Sequence, residues 1–375
     1  MPKVMLPVGN KPILEHIFEA VKKSGVDDVV VVVGYKKEVI KEYFKDYTDI
    51  NITYVTQDKQ LGTAHALLQA KKHVKDSFIV LAGDNIIDHK SISKLIEDDS
   101  KYVILIKEHA SPSKYGVVFV ENNHVKKIIE KPREDIGKYI STGIYKLPPS
   151  IFKEIDELTS QGVFALSSVI QSIADRGVKI RTILADLWMD IVYPWDIINV
   201  NESIIKNKPA STAGILEKGV TLKGDVSIGK DTRVYAGSYI VGPTVIGEGC
   251  EIGPNVCIFP STTVGNNVVI HPFTNIRNSV IMNDVHISSN SFISHSVIGK
   301  GCIIGHNFST TPKKTNIEIE DEYKRLDTPI GVMIGEDCII ENNVVTGPGV
   351  IIGRKCRVNP LNTITQNIPS GSQVM

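Results

Sequence analysis

The sequence has no surplus of either charge: Lys plus Arg and Asp plus Glu each number 42 in 375 residues. Nothing electrostatic therefore argues for nucleic acid or an anionic membrane as partner. No apolar run is long enough to span a bilayer. The opening Met1-Pro2-Lys3-Val4 lacks a secretory pattern. The expectation is a cytoplasmic protein with no nucleic-acid and no membrane partner. Cysteine is sparse and offers no Cys-x-x-Cys pair, which argues against zinc and redox chemistry. Cys250, Cys302, Cys338 and Cys356 each stand two residues before an aliphatic of the repeat described next. They mark one recurring small-residue packing slot.

What is present is a period of six. From Leu216 the register runs Leu222, Ile228, Val234, Ile240, Ile246, Ile252, Ile258, Val264, Ile270 and Ile276. It slips by one to Ile281, Ile287 and Ile293, and again to Ile298 and Ile304. It returns as Ile334, Ile340, Ile352, Val358 and Ile364. Six suits neither a lone helix nor a lone strand. It suits short strands coiled through tight turns, with one inward aliphatic per rung. The pattern resembles the hexapeptide-repeat family. That resemblance implies a left-handed parallel β-helix and a homotrimer. Ser309–Pro329 interrupts the period, and Ile304 to Ile334 is a whole number of steps, so this segment reads as an excursion from a continuous coil. A binding loop and a solvated loop are both open for it.

Before the repeat the apolar pattern alternates. Helices are expected at 12–24, 36–47 and 63–74, with strands at 29–33, 51–56 and 78–81. A helix at 91–98 and a strand at 102–106 follow. The Val29–Val33 run reads as a buried parallel strand. Residues 116–120 and 125–129 read as a hairpin, followed by strands at 141–147 and 180–184 and helices at 152–158, 166–176 and 195–206. Together these argue a doubly wound α/β sheet. The expected division is an α/β domain over 1–209 and the repeat domain over 210–375. Trp188 and Trp195 read as core.

Seven stretches occur in a telling order. They are Pro2 to Pro12, Gln57 to Ala64, Leu81-Ala82-Gly83-Asp84, Lys114-Tyr115-Gly116, Ile129-Glu130-Lys131-Pro132, Ser141-Thr142-Gly143 and Trp188-Met189-Asp190-Ile191. They resemble the motifs of the sugar-1-phosphate nucleotidylyltransferase family over residues 2 to about 206. With the repeats, the whole chain resembles the bifunctional N-acetylglucosamine-1-phosphate uridylyltransferase type and its archaeal relatives. The fold implied is a Rossmann-like α/β nucleotidyltransferase domain with a doubly wound mixed sheet, followed by the β-helix.

The chemistry implied is attack by a sugar-1-phosphate oxygen on the α-phosphorus of a nucleoside triphosphate, UTP or dTTP in preference to GTP. Two polyanions must meet, which calls for cations and in-line positioning. By resemblance Asp84 and Asp190 hold Mg²⁺, and Lys3 meets the triphosphate. Gln57, Gly62 and Thr63 match nucleobase contacts. Gly116, Glu130, Lys131 and Thr142 match contacts to the sugar and its phosphate. Alone, Asp84 reads as a turn residue or helix cap and the lysines as solvated charges. Their order within the motifs reverses that.

Two departures from the family pattern bear on activity. The family motif opens with a strand and a Gly-x-Gly-Thr-Arg loop before Pro-Lys, and this sequence starts at Met1-Pro2-Lys3. A truncated or mis-started form is expected, with backbone edges beside the missing strand left unpaired. In the repeat domain the family's catalytic His falls near Ser289. His286, His295 and His306 lie close by in sequence, and His295 is the candidate acyl-transfer base. Two alternatives therefore stand beside the transferase reading. One adds acetyl transfer from acetyl-CoA to an amino-sugar phosphate, and the other is a non-catalytic regulator that binds sugar nucleotides.

Overall fold

A computed structural model describes residues 1–319 and 322–375 of the chain. Glu320 and Asp321, within the 309–329 segment that interrupts the period, lie outside the described residues. The chain forms two compact units. One comprises Met1–Leu6 and Pro12–Asp190, the other Pro7–Lys11 and Ile191–Met375.

In the first unit, α1 (Ile13–Lys23) buries Ile13, Leu14, Ile17, Phe18 and Val21 on one face, and Ser24 and Gly25 end it. The strands β1 (Asp28–Val33) and β2 (Asn51–Thr56) run parallel in register, Asp28 opposite Asn51 and Val33 opposite Thr56, with α2 (Lys37–Tyr43) between them in sequence. After α3 (Thr63–Gln69) come β3 (Phe78–Val80), β4 (Asn85–Ile87), α4 (His89–Glu97) and β5 (Val103–Glu108). The hairpin β6 (Gly116–Glu121) and β7 (His124–Glu130) turns through Asn122 and Asn123, both at positive φ as a two-residue hairpin turn requires. Then follow β8 (Tyr139–Leu147), α5 (Ile151–Ser160), α6 (Leu166–Asp175), β9 (Arg181–Leu184) and β10 (Trp188–Asp190).

The main sheet is mixed and six-stranded, ordered β3-β8-β5-β9-β7-β6. Its core gathers Ile104, Ile106, Tyr145 and Leu147 against Phe152, Ile155, Val169 and Ile170 of α5 and α6. The valine run departs from its expected burial. Val29–Val32 are only half-buried and Val33 alone is enclosed, because β1 has one partner strand in a separate two-stranded sheet. The apolar β3 is half-buried for a similar reason, lying at the edge of its sheet.

In the second unit three parallel sheets wind into a β-helix. Thr221 pairs with Tyr239 and Tyr239 with Cys257, so a full turn takes eighteen residues, three rungs of six. Asn275 pairs with Phe292, a turn of seventeen, which is the slip in the sequence register. The inward aliphatics form one column from Val226 to Ile368, with most members essentially sealed from solvent. Cys250, Cys302, Cys338 and Cys356 are buried in that column and Cys257 is half-buried outside it. The excursion is a two-stranded antiparallel arm, β11 (Lys313–Ile319) and β12 (Glu322–Ile330). The coil resumes across it, since Val297 pairs with Met333 and Ser309 with Val345. The helix α7 (Asp196–Ile205) lies on the strands Thr262–Val264 and Val280–Ile281.

Candidate active site

Three stretches far apart in sequence meet in the first unit. Lys3 stands in a single 3₁₀ turn, Lys3–Met5, anchored by buried Met5. Asp84 sits in the turn between β3 and β4, at the crevice end of a strand where α/β sheets take ligands. A Cβ at Gly83 would stand 3.4 Å from Val4, so the turn lies close to the N-terminal segment. Asp190 ends β10 and is paired across the ladder with Asn85. The Lys3 Nζ donates to Asp84 Oδ2 at 2.7 Å and lies 3.5 Å from Asp190 Oδ1. Burial works to lower the Lys3 pKa, but the hydrogen bonds and charges of the two aspartates outweigh it and hold the ammonium above its ordinary value.

Buried Asn85 donates from Nδ2 to Asp190 Oδ1 at 3.0 Å and so orients that carboxylate. Sequence reasoning passed over Asn85; its place directly after Asp84 was the available signal. His109 was also missed. Its ring stands edge-on to Tyr115, which meets Trp188 in turn. Its imidazole is pushed down by burial, with Lys114 opposing protonation and Asp190 close enough to favour it. Its Nδ1 accepts from the Ser111 amide at 3.0 Å.

The expected sugar set is only partly assembled. Gly116 faces Glu130 in the hairpin register, and a Cβ there would stand 3.0 Å from Glu130 Oε2, so the carboxylate lies over the glycine. Lys131, at φ 40°, donates its amide to the Tyr115 carbonyl, which brings it beside the same pair. Thr142 points away. Its hydroxyl is buried and donates to the Leu105 carbonyl at 2.7 Å. Ser141 faces this corner instead, 3.1 Å from the Tyr145 hydroxyl, whose pKa burial pushes up to about 12.

The expected nucleobase set divides in the same way. Gln57 follows β2 and lines a surface cleft of about 370 Å³ with Gly34, Tyr35, Lys37, Asp58 and Gln60. Its amide nitrogen reaches the Gly62 carbonyl at 3.3 Å and His65 Nδ1 at 2.9 Å. Gly62 is closely approached by the start of the α6 region. A Cβ there would stand 2.5 Å from the Phe164 carbonyl, and its φ of 150° disfavours any side chain. The Thr63 hydroxyl accepts from the Leu166 amide at 2.9 Å, which ties α3 to the start of α6.

In the β-helix, His295 occupies a left-handed turn position, φ 50°. Its Nδ1 lies 2.8 Å from Ser294 Oγ, and its carbonyl accepts from Gly331, where the arm rejoins the coil. Burial lowers its pKa against the pull of Glu202. His286 pairs with His271 at 4.7 Å between ring centres and is lowered by burial, His271 and His306.

Comparison with known proteins identifies the family of the chain. Residues 1–207 match the nucleotidyl transferase family, 240–315 the GMPPB C-terminal domain and 327–348 the hexapeptide repeat of succinyl-transferase. The chain is 34% identical, over 99% of its length and 94% of the relative's, to a bifunctional sugar-1-phosphate nucleotidylyltransferase/acetyltransferase of Sulfurisphaera tokodaii. It is 32% identical, over its whole length and 92% of the relative's, to the bifunctional protein GlmU of Methanocaldococcus jannaschii. A crystal structure assigned as a glucose-1-phosphate thymidylyltransferase of Bacillus anthracis shares the fold. The match has a TM-score of 0.51 and 24% identity, over 56% of this chain and 89% of that one.

Proposed function

The chain belongs to the nucleotidyl transferase family, and from that membership we propose that it makes NDP-sugars. It joins the α-phosphorus of a nucleoside triphosphate, UTP or dTTP in preference to GTP, to the phosphate oxygen of a sugar-1-phosphate. The α–β phosphoanhydride breaks and pyrophosphate leaves. The observation that carries this reading is the Lys3 ammonium held against Asp84 and Asp190.

Each residue has a physical task. Lys3 stays charged and screens the triphosphate as the sugar phosphate approaches. Asp84 and Asp190 are the carboxylates that would hold Mg²⁺. The fit rests on their donor chemistry, since both present hard oxygens to a position that already attracts a cation. Among the described residues no group of three or more such side chains converges, which suits an ion that takes the rest of its shell from phosphate and water. When bound, that ion supplies charge neutralisation and in-line alignment. Asn85 keeps Asp190 aimed. Glu130, with Gly116 and Lys131 beside it, suits a sugar: the carboxylate accepts from hydroxyls while the lysine attracts the phosphate. Gln57 at its cleft suits the edge of a pyrimidine.

The assay is pyrophosphate release from UTP or dTTP with a hexose- or N-acetylhexosamine-1-phosphate and Mg²⁺. Release that stops with chelator supports the reading. No release with any common triphosphate and sugar phosphate, from a chain carrying the family's opening strand and Gly-rich loop ahead of Pro2, overturns it. NDP-sugar binding by calorimetry in that event would favour the regulatory alternative.

A second reading rests on the two relatives named bifunctional and on a half-buried His295 whose pKa burial lowers. Here acetyl-CoA donates an acetyl group to an amino-sugar phosphate, and His295 takes the amine proton. Thiol release that fails in His295→Ala supports it; release that fails only in His286→Ala moves the base. The β-helix is read as the homotrimer interface, tested by sedimentation. No helix among the described residues is long and apolar enough to cross a membrane. The proposed substrates suit a cytoplasmic site.

A further inference from the structure

The chain passes between its two units at Leu6–Pro7, Lys11–Pro12 and Asp190–Ile191. Two of the three site residues lie at these crossings, Lys3 just before the first and Asp190 at the last. Soon after the last crossing the chain enters α7. Asp196, at its start, accepts the amides of Val192 and Tyr193 at 2.9 and 2.7 Å, which fixes the segment just after Asp190. Further along the same helix, Asn201 is completely buried. Its Oδ1 accepts the Gly9 amide at 2.9 Å and the Thr263 hydroxyl at 3.1 Å, and its Nδ2 donates to the Ser261 carbonyl at 3.3 Å.

The turn it holds fits no other way. Gly9 and Asn10 both have positive φ, 57° and 67°. A Cβ at Gly9 would stand 2.8 Å from Ile204 on α7. Val8 is fully buried, and Asn10 Nδ2 donates to the Val264 carbonyl at 2.6 Å. At the base of the loop the Ile13 amide donates to the Leu6 carbonyl, and the Leu6 amide donates to the Lys3 carbonyl. An unbroken line of hydrogen bonds and backbone thus runs from the β-helix through Asn201 to the turn carrying Lys3. A fully buried amide is tolerated only where its bonds are made. This one spends them on the Pro7–Lys11 turn and on the rung that includes Thr263.

We propose that Asn201 is a positioning residue for nucleotidyl transfer. By pinning the Pro7–Lys11 turn to the β-helix, α7 sets where Lys3 stands relative to Asp84 and Asp190. The inference rests on the role proposed above for Lys3.

The test compares Asn201→Leu with Asn201→Asp, which keeps the acceptor for Gly9 and Thr263. In Asn201→Leu, kcat is expected to fall about tenfold with both KM values within about twofold, as for a misplaced group that acts in the transition state. Asn201→Asp keeps that acceptor but sets a carboxylate against the Ser261 carbonyl in a fully buried site, so it should recover only part of the loss. Backbone hydrogen exchange should quicken over Lys3–Leu6 in Asn201→Leu while the strands from Asn275 onward keep their protection. A kcat within twofold of wild type, or exchange over Lys3–Leu6 that does not change, overturns the proposal. Loss of protection along the whole β-helix overturns it too, because the residue is then merely structural. If wild type carrying the family's opening strand and Gly-rich loop releases no pyrophosphate, the transferase reading fails and the exchange at Lys3–Leu6 alone decides whether the anchor exists.

Discussion

Replacing Asp190 by Asn keeps the shape of the side chain but removes one charge from the cluster and one of the two carboxylates that would hold Mg²⁺. The carbonyl of the new amide can still accept from Asn85, so the β4–β10 pairing should survive. Lys3 lies 3.5 Å from Asp190 Oδ1. At that separation two unit charges interact by about 1 kcal/mol in bulk water and about 5 kcal/mol at an effective dielectric of 20. The Asp190 side chain is 15% exposed and that of Lys3 39%, so the site lies between those limits. Discounting for screening leaves roughly 2–3 kcal/mol, a factor of about 30–150 in rate. The loss should appear in kcat/KM for pyrophosphate release and persist at saturating Mg²⁺. Because the charges act together, Lys3→Met with Asp190→Asn should cost much less than the product of the single losses. Asp27→Asn, which breaks only the exposed pair with Lys22, should leave turnover unchanged. An Asp190→Asn enzyme within threefold of wild type would refute the view that Lys3 and the two aspartates form a catalytic unit.

Other perturbations separate site from scaffold. Thr142→Val should lower stability by about 1–2 kcal/mol in a urea melt, through the bond lost to Leu105, and leave sugar-phosphate KM alone. Ser141→Ala should raise that KM instead. His286 and His295 are both held below the ordinary histidine value of 6.5. Between the folded and unfolded pKa values the unfolded chain binds more protons, so their contribution is complete above about pH 6.5 and is lost as pH falls through the folded values. The melting temperature of the β-helix should therefore drop below pH 6.5, and His286→Gln should flatten the slope. With a thiol reagent, half-buried Cys257 should react first. Cys338 is drawn below the ordinary thiol value by its neighbour Cys302, yet it should stay unlabelled until unfolding because no solvent reaches it.

Much of this molecule was legible before any coordinates. The six-residue period specified the β-helix because each rung must place an aliphatic inward, and Ile240, Ile258 and Ile276 are sealed as that pattern requires. The slip at Ile281 is a turn one residue short. The motifs singled out Lys3, Asp84 and Asp190, and the fold draws those three together. What linear order does not contain is direction and neighbourhood. Ser141 and Thr142 look interchangeable in sequence, yet alternation along β8 sends one hydroxyl toward Tyr145 and the other into the sheet. Gly62 matches a nucleobase contact in its motif, and only the fold adds that the Phe164 carbonyl, about a hundred residues on, leaves no room there for a side chain. Asn85 and Asn201 carried no motif because their partners, Asp190 and Gly9, lie far away along the chain. Periodicity is a local property that sequence states outright. Which buried amide meets which distant backbone group is decided only when the chain closes on itself.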